Sequence, residues 1–436
     1  MNRVALFALT MLVPTALAAQ ASADSVARPI SLPDAVRMAQ RNSPTTVQAA
    51  GTTRSNAATV RSAYMAFIPT LSFSSGATKN NGDRFDTQGN LVPFTGAAWS
   101  YNSGLRMNVE LFDGGNRLFR LKGAKANVNA SESNEILQQY NVSLNVKQQY
   151  YAVLAARESE AAAKSQFDQA NEQLKTATAR VAAGAATKSD SLRAVILVGN
   201  AQLALITAKN NLNNANASLT RLVATPFLVT ATPDDSAQAI DLSLDSTMIA
   251  NLALRGPGVQ QSEAAYTAAK ANVRSALTPY LPTVGLTFNR GGNGTDNRFG
   301  WGDERYAYSQ TMSFNLQFPF FNQGTREEQI VRSRVAADNA EAQLRDTRLL
   351  AQQQLTQYLS AFRSAEQRVQ IQLASVEAAE EDLRVQQRRY SLGASTFLDV
   401  LNSQVTLNQA RAALIQARFD ARVAKAQIET LTGKDM

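Results

Sequence analysis

The sequence predicts an α+β membrane fold: a long α-helical coiled coil running into transmembrane β-strands, the whole built twice in tandem. Three observations carry this. Landmarks recur at one spacing: Arg180, Gly184, Thr187 and Asp190 return as Arg389, Gly393, Thr396 and Asp399, each displaced by 209 residues. Neither Gly nor Pro interrupts 124–183 or 325–392, and an unbroken helix of roughly 65 residues at about 1.5 Å per residue reaches ~100 Å. Segments alternating apolar and polar residues precede both long stretches, with the period and length of membrane strands.

The duplication extends beyond the glycine landmarks. Leu111-Phe112-Asp113-Gly114-Gly115-Asn116-Arg117 resembles Phe320-Phe321-Asn322-Gln323-Gly324-Thr325-Arg326 at the same offset, and Phe67-Ile68-Pro69-Thr70 matches Tyr280-Leu281-Pro282-Thr283. Two copies of one unit are therefore expected, over 24–225 and 246–436, joined by a segment at 226–245 that holds Pro233-Asp234-Asp235.

Residues 1–23 read as a secretory signal. Asn2-Arg3 opens it, Val4 to Ala16 is apolar, and Ala16-Leu17-Ala18 and Ala21-Ser22-Ala23 are cleavage candidates. A membrane anchor is the competing reading, but the run is short for a spanning helix, and no Cys follows that could carry a lipid. Next, Ser31 caps a short helix, and a longer one runs from about Pro44 to Ala66, ending before Pro69, which restrains the preceding residue to extended geometry.

Past Pro69 the period becomes two. Leu71 and Phe73 alternate with serines, a polar loop covers about 79–96, and Leu105, Met107, Val109 and Leu111 alternate with Arg106, Asn108 and Glu110. The second copy repeats this with Val284, Leu286 and Phe288, a Gly-rich loop at Gly291-Gly292, then Met312, Phe314, Leu316 and Phe318. Each copy supplies one hairpin, at 70–111 and 283–319. Trp99, Tyr101, Trp301, Tyr306 and Tyr308 suit an interfacial girdle. Taken alone, these strands also fit a small soluble sheet.

Each long helix ends at a hairpin tip. Gly184 and Gly393 supply the left-handed residue that stops one helix, and Thr187 with Asp190, and Thr396 with Asp399, form capping boxes that open the next. Apolar residues at three and four spacing, from Leu344 through Ala351, Leu355, Tyr358 and Phe362 to Val376, indicate coiled-coil packing with much alanine in the seam. Helices return to about Val223 and Leu431, and Pro44–Ala66 and Val259–Leu277 supply the length these lack.

Composition limits the chemistry. The chain has no Cys and no His, which removes the commonest metal ligands and general bases. The excess of 43 Lys and Arg over 35 Asp and Glu is spread without a cluster, so no nucleic-acid partner is expected. No metal, cofactor or catalytic residue is expected, and Glu110 and Asp113 read as strand-end residues. A carboxylate enzyme ranks below two alternatives, an export duct and a non-pore coiled-coil scaffold or tether. Four strands cannot close a barrel in lipid, so spanning chains must pool them. Eight or twelve strands would both close, and the width of the helical part favours three chains.

With its duplication, its Pro69 and Pro282 transitions and its paired Gly-x-x-Thr tips, the mature chain resembles the TolC-type outer-membrane factors. The resemblance implies a homotrimer, a twelve-stranded barrel in outer-membrane lipid and a twelve-helix tunnel across the periplasm. It also implies a periplasmic adaptor docked at the tips and an inner-membrane transporter that drives efflux or type I secretion. Asp399 then matches an acidic ring at the constriction, Tyr390 the contacts that shut the entrance, and Asp190 the equivalent place on the first tip. Arg180, Gly184, Arg389 and Gly393 face the adaptor, while Leu105, Met107, Val109, Leu286, Phe288, Met312, Phe314 and Leu316 face lipid. Ser395 stands where the best-known member has Arg, and Asn402 where it has a second acid, so the closing contacts differ here. Three Asp399 side chains around an axis would repel, raising some of their pKa values and favouring cations. Asp399 and Asp190 equally fit plain helix caps.

Overall fold

The structure is a computed structural model that describes residues 27–79, 83–93, 99–232, 246–296 and 307–434. The signal segment, most of the 226–245 joining segment, Trp301 and Tyr306 lie outside the described residues. In order, the chain forms β1 (Arg28–Ile30), α1 (Leu32–Asn42), α2 (Pro44–Met65), β2 (Thr70–Lys79), β3 (Asp83–Phe85), β4 (Leu91–Pro93) and β5 (Trp99–Phe112). Then come α3 (Asn116–Ala182), α4 (Lys188–Val223), β6 (Val229–Ala231), α5 (Ser246–Ala253), α6 (Pro257–Ala276), β7 (Thr283–Asp296), β8 (Ala307–Gln317), α7 (Thr325–Ser391) and α8 (Phe397–Thr432). Helices α3 and α7 each run 67 residues, and α4 and α8 each run 36. The described residues fall into two compact units, one drawn from 27–39, 146–232 and 376–416, the other from the described residues of 40–145, 246–375 and 417–434.

The second unit holds a four-stranded antiparallel sheet in the order β2-β5-β7-β8. Its register sorts residues by polarity. Leu71, Met107, Phe288 and Met312 form one row across all four strands, and Val109, Leu286 and Phe314 form the next. On the opposite face, Thr70, Asn108, Thr287 and Ser313 make one row, and Ser72, Arg106, Asn289 and Thr311 another. Arg106 Nε donates to Asn289 Oδ1 at 2.9 Å, so the polar face is cross-linked between strands. On the apolar face Met312, Phe314 and Leu316 are 61%, 64% and 73% exposed, so nothing among the described residues covers them.

Three expectations need correction. Gly291 and Gly292 lie within β7 rather than in a loop. Gly291 pairs with Gly104, and a Cβ there would sit 3.1 Å from Ser103 O, so the glycine permits close strand approach instead of a turn. Leu111 leaves the alternation, because a bulge between Glu110 and Phe112 puts Phe112 opposite Val284 in its place. The stretch at 79–96 contains a short hairpin, β3–β4, whose turn is fixed by Asp86 Oδ1 accepting from Gln88 N and Asn90 N, each at 2.9 Å.

The elbows that join strands to long helices share one device. Arg117 lies over the Phe67 ring at 5.1 Å, and Arg326 over the Tyr280 ring at 4.6 Å, each a cation–π contact between the first turn of a long helix and the aromatic before the Pro turn. Arg117 also pairs with Asp113 at 3.1 Å, with both side chains largely buried. Below them the coiled-coil spacing buries Leu355 and Phe362 against Ile249, Ala253, Ala424 and Ile428.

In the first unit, Ala194, Ala201 and Ala208, at seven-residue spacing, begin the buried stripe of α4, which continues through Asn216, Leu219 and Val223, whereas Leu192, Val195, Ile196, Leu203 and Ile206 are exposed. A parallel pair, β1–β6, was not foreseen. Tyr150 Oη holds it by donating to Ile30 O and Thr232 O at 3.2 Å, and Arg157 donates to Thr230 Oγ1 at 2.8 Å.

Gly256, which caps α6, is buried, and a Cβ there would collide with the Leu431 carbonyl oxygen at the end of α8. Gly256→Ala is expected to lower stability by about 1–3 kcal/mol, the usual cost of overpacking, read as a lower Tm in detergent. Gly258→Ala, where a Cβ meets nothing within 4 Å, serves as the control and should not lose stability.

Candidate functional site: the paired hairpin tips

Both tips are built the same way from local sequence. Gly184 has φ +72° and Gly393 φ +75°, a left-handed geometry that costs a side-chain-bearing residue about 1 kcal/mol or more. Each closes a Schellman motif. Ala185 N donates to Arg180 O and Ala394 N to Arg389 O, both at 2.8 Å, while Gly184 N reaches Val181 O at 3.1 Å and Gly393 N reaches Tyr390 O at 3.0 Å. Two residues later the next helix is capped. Thr187 and Asp190 make a reciprocal box, with Asp190 N on Thr187 Oγ1 at 3.3 Å and Asp190 Oδ2 accepting from Thr187 N at 3.1 Å. Thr396 and Asp399 repeat it at 3.3 and 2.8 Å. These boxes satisfy amides that a helix start leaves without partners.

Asp399 is therefore a helix cap within the chain. Its Oδ2 accepts from Thr396 N, from Thr396 Oγ1 at 2.7 Å and from Ser395 Oγ at 3.2 Å. Thr396's side-chain and backbone hydrogen bonds, with smaller help from Ser395 and the Arg389 charge, hold the carboxyl below the ordinary aspartate value. Ser395, which replaces an expected arginine, also donates to Gln386 Oε1 at 3.2 Å, tying the tip to the end of α7. Asn402 lies in α8, where its carbonyl accepts from Thr406 Oγ1 at 3.0 Å.

The tips touch each other asymmetrically. Arg180 Nη1 donates to Tyr390 O at 2.6 Å and Ser391 O at 3.0 Å, and its guanidinium lies 4.6 Å from the Tyr390 ring centroid. The first tip thus caps the last carbonyls of α7, where the helix end favours a cation. Arg389, its counterpart, reaches the Ala394 carbonyl of its own tip at 3.3 Å. Tyr390 packs 5.8 Å from Phe397, which is buried with Ala177 and Ala194. Its hydroxyl is buried with no hydrogen-bond partner. Burial, and secondarily the Asp190 charge, push the Tyr390 phenol above its ordinary value, with Arg180 opposing. Beside this contact opens a groove of about 910 Å³ lined by Asp168, Glu172, Gln387, Tyr390 and Phe397, among others. Further along, Asp382 accepts from the buried Ser403, and Arg411 pairs with Glu380 at 2.8 Å.

Asp399, Asp190, Tyr390, Arg180, Gly184, Gly393 and Arg389 thus gather on two adjoining tips, while the strand residues expected to meet lipid share one face of the sheet. The Arg180 bridge and the Phe397 seat escaped sequence reading, because their partners lie about two hundred positions away and no periodicity links them. Among the described residues no group of three or more acidic side chains is placed to hold a metal.

Amphipathic strands joined to long helices with capped tips are the architecture expected of an outer-membrane channel. The model of the outer membrane efflux protein family matches residues 35–225 and 248–434, and the chain belongs to that family. The pyoverdine export outer membrane protein OpmQ of Pseudomonas aeruginosa is 27% identical over 73% of this chain and 67% of its own. The outer membrane efflux protein BepC of Brucella suis is 26% identical over 76% and 72%. A solved structure of CusC superposes with a TM-score of 0.78 at 16% identity, covering 92% of both chains, a likeness of fold. The protein is an efflux channel component of the outer membrane of a Gram-negative-type bacterium, with a long periplasmic extension.

Because the folded Asp399 carboxyl lies below its unfolded value of about 3.9, its stabilisation is complete above that value. It is lost as the pH falls through the folded one. Protection of the first amides of α8 against hydrogen exchange should therefore drop in strong acid. Asp399→Asn should show weak protection already at neutral pH, with no acid step. Arg180→Ala should reduce protection around Leu392–Ala394 by about tenfold, in line with the ~1.5 kcal/mol of a charge-assisted hydrogen bond. Arg389→Ala should leave the first tip unchanged.

Proposed function

We propose that the chain is one protomer of a homotrimeric exit duct. Three copies pool their strands into a twelve-stranded barrel in outer-membrane lipid. Their helices line a tunnel whose tips meet a periplasmic adaptor and an inner-membrane transporter, in a tripartite efflux pump or a type I secretion system. The observation that carries this reading is the sheet, with one face apolar and exposed, the other polar, and β2 and β8 at edges that no described strand pairs. Unpaired edges cost several kcal/mol per group in hydrocarbon, so the spanning state requires neighbours.

A second observation supports the pooling. α4 hides its alanines and presents Leu192, Val195, Ile196, Leu203 and Ile206, and it is long and apolar enough on composition to cross a membrane. A neighbouring protomer's helices are the occupant we assign to that stripe. The duct performs no chemistry of its own. Its polar sheet face lines the passage, and the tips hold it shut until partners engage them.

Purified protein in planar bilayers should form stable pores and run as a heat-modifiable oligomer that only detergent extracts. Asp399→Ala should lower cation preference if three such residues ring the constriction. Unchanged selectivity would leave Asp399 a helix cap alone. Phe288→Lys, in the all-apolar row, should abolish insertion, whereas Thr287→Lys on the polar face should insert. Folded, membrane-bound protein without pores would replace the duct with a tether.

A further inference from the structure

One cation stands at the boundary of the apolar band on one face of the sheet. Arg290 of β7 pairs in register with Leu105 of β5 and Gln310 of β8, and Leu105 pairs in turn with Phe73 of β2. Rows on this face can be followed from the helix end of the sheet towards the loops. Phe112, Val284 and Leu316 come first, then Val109, Leu286 and Phe314, then Leu71, Met107, Phe288 and Met312. Arg290's own row follows. The row beyond it is Ser75, Ser103, Gly292 and Tyr308. The apolar band thus ends at the row that carries Arg290. Arg290 is exposed and has no ion-pair or side-chain hydrogen-bond partner among the described residues.

An arginine facing lipid costs about 2–4 kcal/mol at mid-membrane and about 0–1 near the interface. Its position at the edge of the band, with a long stem able to reach outward, satisfies that constraint. A guanidinium offers a planar fork of donors that matches phosphate oxygens two at a time. Gln310, directly opposite, adds amide donors beside it. The helices that adjoin the sheet strands, α2, α3, α6 and α7, all meet the sheet at its other end, so this row faces the external leaflet when those helices lie in the periplasm.

We infer that Arg290, with Gln310 beside it, binds the phosphate of a lipid headgroup in the outer leaflet, one lipid per chain on the barrel wall. The inference rests on the proposed spanning of the membrane by the sheet. Charge complementarity and the boundary row identify the occupant as an anionic phospholipid or phosphorylated glycolipid, rather than a second protein. On its loop side Arg290 is followed by a row of serines, glycine and Tyr308, whose ring and hydroxyl suit a membrane interface.

The test uses the full-length protein purified in mild detergent, mixed with diphosphoryl lipid A or with a dephosphorylated form of the same acyl composition, and examined by native mass spectrometry. Wild type should retain the phosphorylated lipid at one per chain and release the dephosphorylated one at lower collision energy. Arg290→Leu should lose that difference, with retention falling about tenfold or more, while Arg290→Lys should keep part of it. Equal retention of both lipids by wild type, or unchanged retention in Arg290→Leu, would overturn the assignment. Insertion and conductance of Arg290→Leu are read in parallel. A variant that inserts and conducts but retains the lipid as wild type does removes the lipid site and leaves the duct standing. Wild type that fails to insert removes both.

Discussion

Everything in this chain follows from backbone groups that one copy leaves unpaired. Among the described residues the sheet has four strands, and β2 and β8 form its edges, with rows of amides and carbonyls facing outward. In water such edges are solvated; in hydrocarbon they are not. In the homotrimer proposed above, copies of the chain would supply what such edges lack. The helices follow the same logic: α4 packs Ala194, Ala201, Ala208 and Leu219 inside the chain and leaves Leu192, Val195, Ile196, Leu203 and Ile206 exposed. Under that proposal folding and assembly are one problem.

At the opposite end of the helices the constraint is reversed, and satisfaction is local. Each tip closes its carbonyls with a left-handed glycine and its amides with a Thr–Asp box, all within about ten residues of sequence. Such a tip needs no partner to be shaped. That leaves its outward groups available for contact, and Arg180 uses some of this freedom to clasp the second tip. Asp399 shows how one residue can satisfy a structural demand and still present charge. Three hydrogen bonds fall on a single oxygen, and the side chain remains exposed.

Much of this was legible in the residues, because the governing rules are short-range. The long helices are visible from the absence of Gly and Pro, the strands from their period, and the capping boxes from the spacing of Thr and Asp. Where sequence reading failed, longer-range geometry was in charge. Gly291 and Gly292 look like a turn, yet they serve a strand that must approach Gly104 closely. The three-residue strands β1 and β6 are too short to show a period, and their pairing is held by Tyr150 and Arg157 from a distant helix. The mirror symmetry of Arg180 and Arg389 in the sequence suggested equal roles, but only the first reaches across to the other tip.

The irregularities of the sheet share one location. The bulge beside Leu111 and the Gly104–Gly291 pair both lie between β5 and β7, the seam between the two halves of similar sequence. Bulges and glycines are where a sheet bends. The sheet therefore bends most readily at the joint between the two look-alike halves. In the barrel proposed above, that joint would put a corner inside each chain, in addition to any made where chains join. The line along which the halves resemble each other would then be the fold line of the wall.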